Sequence, residues 1–107
     1  GREHYGYTIY TLETHLCYRR EAHQGQPLNI DLTLLDSDAK RLHVFFAMFD
    51  DEGNLLATSE QMLMGMKQAS GRPSPFPETV AHHVAALPRA KSDAWPELAG
   101  RTIGIRR

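Results

Sequence analysis

The stretch that decides the fold is KRLHVFFAMFDDEGNLLATSEQMLMGM, residues 40–66. It contains two long β-rich segments around DDEGN, where Gly53 and Asn54 tolerate the positive φ that tight hairpin turns demand. In the first segment every second residue from Leu42 to Met48 is apolar, and the intervening residues are also fairly apolar, so both faces of this strand should be covered. The stretch therefore predicts a β-hairpin of two long strands, the second running from Leu55 to about Gln68.

Two further strands are predicted before this hairpin. YTIYTLETHLCY, residues 7–18, is rich in β-branched and aromatic residues, and LNIDLTLL, residues 28–35, alternates apolar with polar residues. DSD, residues 36–38, is a turn by composition. Counting by two places the following residues of the first strand on one face: Tyr10, Leu12, Thr14, Leu16 and Tyr18.

The pattern changes after the hairpin. ASGRPSPFP, residues 69–77, carries three prolines and a glycine, which end the sheet. PETVAHHVAAL, residues 77–87, has helical spacing and predicts a short helix that begins near Glu78. We therefore predict an α+β domain of at least four antiparallel strands followed by a helix. The apolar face of so long a sheet must be buried, and we expect a partner subunit or a preceding segment to cover it.

Length and composition exclude several classes of protein. The chain has 107 residues, of which 41% are hydrophobic and 23% charged, so one folded domain, residues 1–107, is expected. No apolar run reaches the roughly 18 residues that span a bilayer, and no signal peptide is recognisable, so we expect a cytoplasmic protein without a membrane partner. The formal net charge of −1 argues against nucleic-acid binding. The single cysteine, Cys17, fits a reducing compartment.

Several polar residues are candidates for chemistry. Glu13 and His15 lie two apart on a strand, which suits an acid/base pair and equally a polar pair on an exposed face. Lys40 and Arg41 begin a strand, where two cations either hold a phosphate or only increase solubility. The six histidines lack ligand spacing, so no metal is expected. The methionine stripe on one face of the fourth strand is interpreted as packing: Met62, Met64 and Met66.

Taken in order, these segments resemble the hotdog-fold acyl-CoA thioesterases of the 4-hydroxybenzoyl-CoA thioesterase type. The resembling run covers residues 11–66 and 70–80, about two thirds of the chain. The turn before PLNID, the Lys40-Arg41 strand start, the EGNLLATSE hairpin and the proline-rich exit all follow the family order. Within the family the chain is most similar to the thioesterases associated with carnitine dehydrogenase, a resemblance that implies betainyl-CoA as the substrate.

The resemblance implies a hotdog fold, a long antiparallel sheet wrapped around a central helix, and a homodimer or homotetramer in which sheets continue into each other. It implies hydrolysis at the dimer interface by a carboxylate, with a helix N-terminus polarising the carbonyl. CoA is then part of the substrate and no separate cofactor is expected. Lys40 and Arg41 would hold the CoA phosphates. The acyl pocket would be bordered by Tyr10, Thr11 and Glu13, whose ring and carboxylate suit a trimethylammonium group.

The chain also departs from the family pattern. The family's first strand, its Asp-containing motif and its central helix precede the region matched from Tyr7 onward. We therefore expect an N-terminal portion of the domain to be missing from this sequence, and the catalytic residue stays unknown. Two alternatives remain open: a hotdog dehydratase-like or non-catalytic acyl-CoA-binding domain, and a β-sheet interaction module that uses the methionine stripe as its partner surface.

Overall fold

Five antiparallel strands form one sheet in the computed structural model, which describes residues 6–107. The order across the sheet is β1-β4-β3-β2, and β5 is a short addition to β4. The predicted strands, hairpin and helix are confirmed, while the sequence start with His4 lies outside the described residues. The elements are β1 (Tyr7–Tyr18), β2 (Leu28–Ser37), β3 (Arg41–Asp50), β4 (Leu55–Lys67), β5 (Arg72–Pro73), α1 (Glu78–Ala85) and a 3₁₀ turn (Ser92–Ala94).

The β3–β4 hairpin is closed by the side chain of Asp50. One carboxylate oxygen accepts hydrogen bonds from the backbone N–H groups of Glu52 (2.9 Å) and Asn54 (2.8 Å), and the other accepts one from the Asn54 side chain (3.0 Å). Gly53 has φ 83°, as expected for this turn. Asn54 does not adopt the positive φ that it would tolerate, and its backbone and side-chain amides donate to Asp50.

An irregularity in β1 changes which residues share a face. Tyr10 pairs with Met64 and Thr11 with Leu63, but Glu13 then pairs with Met62, so one extra residue is inserted. Such a β-bulge shifts all later side chains to the other face relative to strict alternation. The prediction of one shared face was therefore wrong, since the bulge separates Tyr10 from three of the residues grouped with it: Thr14, Leu16 and Tyr18.

The sheet carries a separate hydrophobic cluster on each face. The face on which Leu42 and Val44 pack against α1 is called the helix face, and its cluster includes Leu34 and Val84. The opposite face, on which Phe45 packs, is called the tail face. Its cluster is completed by Leu35 and, from the C-terminal segment, by Trp95, Leu98 and Ala99. The prediction that both faces of β3 are covered is thus confirmed for this part of the sheet.

The C-terminal segment passes from one face to the other around the edge of β2. The N–H of Leu34 donates to the Pro88 carbonyl (2.7 Å), and the N–H of Ala90 donates to the Leu34 carbonyl (3.1 Å). These bonds form a single parallel bridge between Leu34 and Arg89. Residues 88–90 therefore pair with part of the β2 edge before the chain reaches the tail face.

The other end of the helix face stays open within residues 6–107. Four apolar side chains there are between 45% and 79% exposed: Leu16, Tyr18, Leu28 and Ile30. They lie beyond the reach of α1, which is eight residues long and packs near Val44. No helix in the described part of the chain combines the length and the apolar content needed to cross a membrane.

Gly65 allows the proline-rich return segment to run close to β4. A Cβ at this position would lie 2.6 Å from the Tyr7 hydroxyl and 2.8 Å from the Ser74 carbonyl oxygen. The carbonyl belongs to the backbone, whose N–H also donates to the Gly65 carbonyl, so it cannot easily move away. We expect Gly65→Ala to lower the free energy of unfolding by about 1–3 kcal/mol, measured by urea denaturation. Gly104→Ala, whose Cβ would approach only the flexible Arg106 guanidinium at 3.8 Å, should change it little.

The Asp50 carboxylate should make stability depend on pH. The pKa of Asp50 is held below its ordinary value, first by the hydrogen bond from the Asn54 side chain. The backbone N–H groups of Asn54 and Glu52 and the nearby Arg20 charge act in the same direction. A lowered pKa in the folded state gives stability that is fully present above the ordinary Asp pKa of about 3.9 and lost as the pH falls through the lower folded value.

We therefore expect Asp50→Ala to lower the melting temperature at neutral pH and to flatten its decline below about pH 4. Circular-dichroism melts from pH 7 to low pH measure both effects. Asp51→Ala, at an exposed position in the same turn, is the matched control. Equal slopes for the Asp50 variant and the parent would contradict this assignment.

Candidate functional site

A cleft of about 510 Å³ with several charged side chains lies on the tail face, between the sheet and the C-terminal segment. It is called the tail-face cleft. Strands β1, β3 and β4 form its floor, and residues 100–103 contribute one wall. Its functional side chains are Glu13, His15, His43, Glu60, Met62 and Arg101.

The most constrained group in this cleft is the pair His43–Glu60. Nε2 of His43 lies 2.6 Å from one carboxylate oxygen of Glu60, and the two side chains are only 20% and 15% exposed. The other oxygen of Glu60 accepts the N–H of Gly100 at 2.7 Å. The edge of the His43 ring also meets the ring of Trp95, with centroids 5.2 Å apart. Glu60 therefore fixes both an imidazole and the C-terminal segment.

Strand register explains why these residues meet. His43 pairs with Met62, and Phe45 pairs with Glu60, so His43 and Glu60 are diagonal neighbours on the tail face. On the other side of β4, His15 stands directly opposite Glu60. Sequence analysis missed the His43–Glu60 pair. Counting outward along both strands from the DDEGN turn would not have found it, because an irregularity between Met48 and Phe49 shifts the pairing by one residue, and simple counting places the two side chains on opposite faces.

The residues predicted to border the acyl pocket are divided between the two faces. Glu13 lines the tail-face cleft, and the β-bulge brings Tyr10 to the same face, because their partners Met62 and Met64 are two residues apart. Thr11 points to the helix face. Tyr10 is 52% exposed, so its ring is accessible, and among the described residues Glu13 has no hydrogen bond or ion pair.

Of the two predicted phosphate-binding residues, Lys40 and Arg41, Arg41 is bound to the nearby carboxylate of Asp38. The Arg41 guanidinium donates two hydrogen bonds to one Asp38 oxygen (2.6 and 2.8 Å), and the other oxygen accepts the backbone N–H groups of Lys40 and Arg41. These contacts, the Arg41 side chain first, lower the pKa of Asp38 to about 2. Within residues 6–107 Lys40 forms no ion pair, so its ammonium group remains accessible.

The described histidines, cysteine and carboxylates form no group that would hold a metal ion. His82 and His83 lie on exposed positions of α1. His83 contacts the Thr79 carbonyl (2.8 Å), and His82 lies 4.0 Å from Glu78. The carboxylates of the cleft have different chemical capacities. Both oxygens of Glu60 are bonded, whereas Glu13 is exposed and keeps its lone pairs for a cation or a proton.

This antiparallel sheet with one helix packed on it matches the hotdog fold of solved thioesterases. A Staphylococcus aureus protein solved in complex with CoA superimposes with a TM-score of 0.83 at 37% identity, covering 98% of this chain and 67% of that one. The chain belongs to the thioesterase-like superfamily, whose sequence profile matches residues 1–84. Thioesterases of this kind are hydrolases that act on acyl-CoA thioesters.

Two curated relatives have related names. The betainyl-CoA thioesterase of Pseudomonas aeruginosa is 37% identical over 107 residues, which cover 98% of this chain and 67% of that protein. The L-carnitine dehydrogenase/betainyl-CoA thioesterase of Rhizobium meliloti is 39% identical over 105 residues, covering 95% of this chain. The chain spans 21% of the length of that longer protein. The predicted family and fold are therefore confirmed.

Removing the Glu60 carboxylate should loosen the C-terminal segment. We expect Glu60→Ala to leave the Gly100 N–H and His43 without their acceptor and to cost about 1–3 kcal/mol of unfolding free energy. The emission of Trp95, which is the single tryptophan of the chain, should shift to longer wavelength as water reaches it. Glu60→Gln keeps a carbonyl for Gly100 and should lose less. An unchanged urea midpoint and emission maximum in the alanine variant would refute the role given to Glu60.

Proposed function

We propose that this protein hydrolyses a small acyl-CoA to the free acid and CoA, with betainyl-CoA as the first substrate to test. The observation that carries the proposal is the 37% identity, over 98% of the chain, to a relative named betainyl-CoA thioesterase. The likeness to a structure holding CoA supports the same substrate class. The single cysteine is consistent with action in the cytoplasm, where thiols stay reduced.

In this proposal Tyr10 and Glu13 recognise the acyl group. A betainyl group carries a permanently charged trimethylammonium, which is attracted to the face of an aromatic ring and to a carboxylate. The shared face of Tyr10 and Glu13 and the accessibility of both side chains support this role. Thr11 lies on the helix face and would border the acyl pocket from that side of the strand.

Lys40 is proposed to bind a phosphate of CoA, with Arg41 in a secondary role. The Arg41 charge is largely compensated by Asp38, to which it donates two hydrogen bonds. A phosphate would have to compete with that carboxylate for Arg41, whereas Lys40 can be approached directly. The primary phosphate contact is therefore assigned to Lys40.

We further propose that two copies associate through β1. This strand is twelve residues long and pairs with β4 on one side, and within residues 6–107 its other edge has no partner strand. Long edges of this kind readily add a second strand. Antiparallel pairing of two β1 strands would join the sheets and bring Tyr10 and Glu13 to the subunit interface. A homodimer, or a homotetramer built from two such dimers, follows from this arrangement.

The acyl-recognition residues are tested by steady-state hydrolysis of betainyl-CoA, followed by thiol release. Loss of a cation–π contact is worth about 0.5–2 kcal/mol, so we expect Tyr10→Ala to raise KM about two- to thirtyfold. Tyr10→Phe keeps the ring and should stay near the parent value. Glu13→Gln should raise KM for betainyl-CoA more than for a neutral acyl-CoA of similar size. Unchanged KM in Tyr10→Ala would exclude the ring from recognition, and CoA binding without any thiol release would favour a non-catalytic binding domain.

Lys40 is tested with a pair of substrates. We expect Lys40→Ala to raise KM for betainyl-CoA, more at low than at high ionic strength, because the contact is electrostatic. The betaine thioester of N-acetylcysteamine lacks the phosphates, so its KM should not respond. Lys91→Ala, which removes an exposed lysine in the C-terminal segment, is the matched control. An equal effect of Lys40→Ala on both thioesters would show that Lys40 acts on something other than phosphate.

A further inference from the structure

A second cleft, of about 470 Å³, lies on the tail face and shares no lining residue with the tail-face cleft. It is called the arginine cleft. Strands β3 and β4 form its floor, and residues 96–98 of the C-terminal segment form one wall. Its volume falls within the range of about 300–1,000 Å³ that small-molecule sites occupy. Its lining residues are Arg19, Arg20, Phe45, Ala47, Phe49, Leu55, Thr58, Pro96, Glu97 and Leu98.

The interior of this cleft is apolar except for one hydroxyl. Phe45 and Leu98, which are 3% and 9% exposed, belong to the tail-face cluster, and Leu55 packs against the same cluster. Thr58 stands opposite Ala47 and is 4% exposed, and its hydroxyl is the polar group of the interior. The interior therefore suits a ligand that is mostly apolar and carries at least one polar atom.

The mouth of the cleft carries a positive excess. Arg19, Arg20 and Glu97 are its charged lining residues, which leaves one net positive charge among them. The N–H groups of both arginines donate to the Leu56 carbonyl, at 2.8 and 3.1 Å, so their backbone is held in place. Arg20 also interacts with Asp50, whereas Arg19 has no ion pair within residues 6–107. An anion at the mouth would be bound first by Arg19.

We propose that the arginine cleft binds a small amphipathic carboxylate, with its apolar body against Phe45 and Leu98 and its carboxylate on the Arg19 and Arg20 guanidinium groups. Guanidinium groups bind carboxylates with two parallel hydrogen bonds, which favours this anion over a neutral polar group. The site lies beyond the function proposed above. One of its walls is formed by residues 96–98, which lie beyond the family match to residues 1–84.

Occupancy of the arginine cleft can be followed through Trp95. This residue precedes the Pro96–Leu98 wall, packs in the tail-face cluster and contacts the His43 ring. Because it is the single tryptophan, its emission reports on this segment alone. We expect octanoate to change Trp95 emission with a saturable dependence on concentration. Octan-1-ol, which has a similar apolar body and no charge, should bind at least tenfold more weakly.

Two substitutions and one competition complete the test. The double variant Arg19→Gln/Arg20→Gln should raise the Kd for octanoate at least tenfold, while Arg106→Gln/Arg107→Gln, which removes as much charge from the chain end, should leave it unchanged. Saturating CoA should not displace octanoate, because neither Lys40 nor Arg41, the residues proposed to hold the CoA phosphates, lines the arginine cleft.

Each opposite result would overturn the proposal. The absence of a saturable signal in the parent protein would do so, as would an unchanged Kd in the Arg19/Arg20 variant. Displacement of octanoate by CoA would place the carboxylate in the substrate site instead. The octanoate assay measures binding and not thioester hydrolysis. A negative result for octanoate therefore leaves the proposed thioesterase activity untouched, and an absence of thioesterase activity leaves the binding assay valid.

Discussion

The Asp50 carboxylate is the contact on which the arrangement of the sheet depends. Its three hydrogen bonds to Glu52 and Asn54 close the β3–β4 turn, and an irregularity between Met48 and Phe49 then shifts the pairing by one residue to give the register of the two central strands. A slip of one residue would exchange the faces of every side chain along a strand. The position of Phe45 in the tail-face cluster and the diagonal contact of His43 with Glu60 both follow from that register.

Local sequence patterns predicted most of the sheet because its strands are long and its turns are short. The predicted limits of the first strand agree with β1, and the DDEGN turn lies where the hairpin closes. The bulge in β1 could not be predicted, since no glycine or proline marks the extra residue between Thr11 and Glu13. Its effect is to place Tyr10 and Glu13 on one face of the sheet and Thr11 on the other.

The course of the C-terminal segment could not be predicted from the periodicity of the sequence. Trp95 and Leu98 were recognised as residues that dock, but nothing local indicates that residues 88–90 pair with the β2 edge and lead the chain to the opposite face. That crossing is a long-range event, and it supplies walls to both clefts. The candidate sites were therefore predictable where they lie on β1 and unpredictable where the segment completes them.

The two glutamates of the tail-face cleft differ in hydrogen bonding, which distinguishes a carboxylate that is already bonded from one that is free to bind. Glu60 uses one oxygen for His43 and the other for Gly100, so a proton or a substrate cation would have to displace a bond that holds the C-terminal segment in place. Glu13 is exposed and pays no such cost. His15 lies opposite Glu60 on β1, two residues from Glu13, so the chemistry of this cleft is expected along β1 and its stability along β3 and β4.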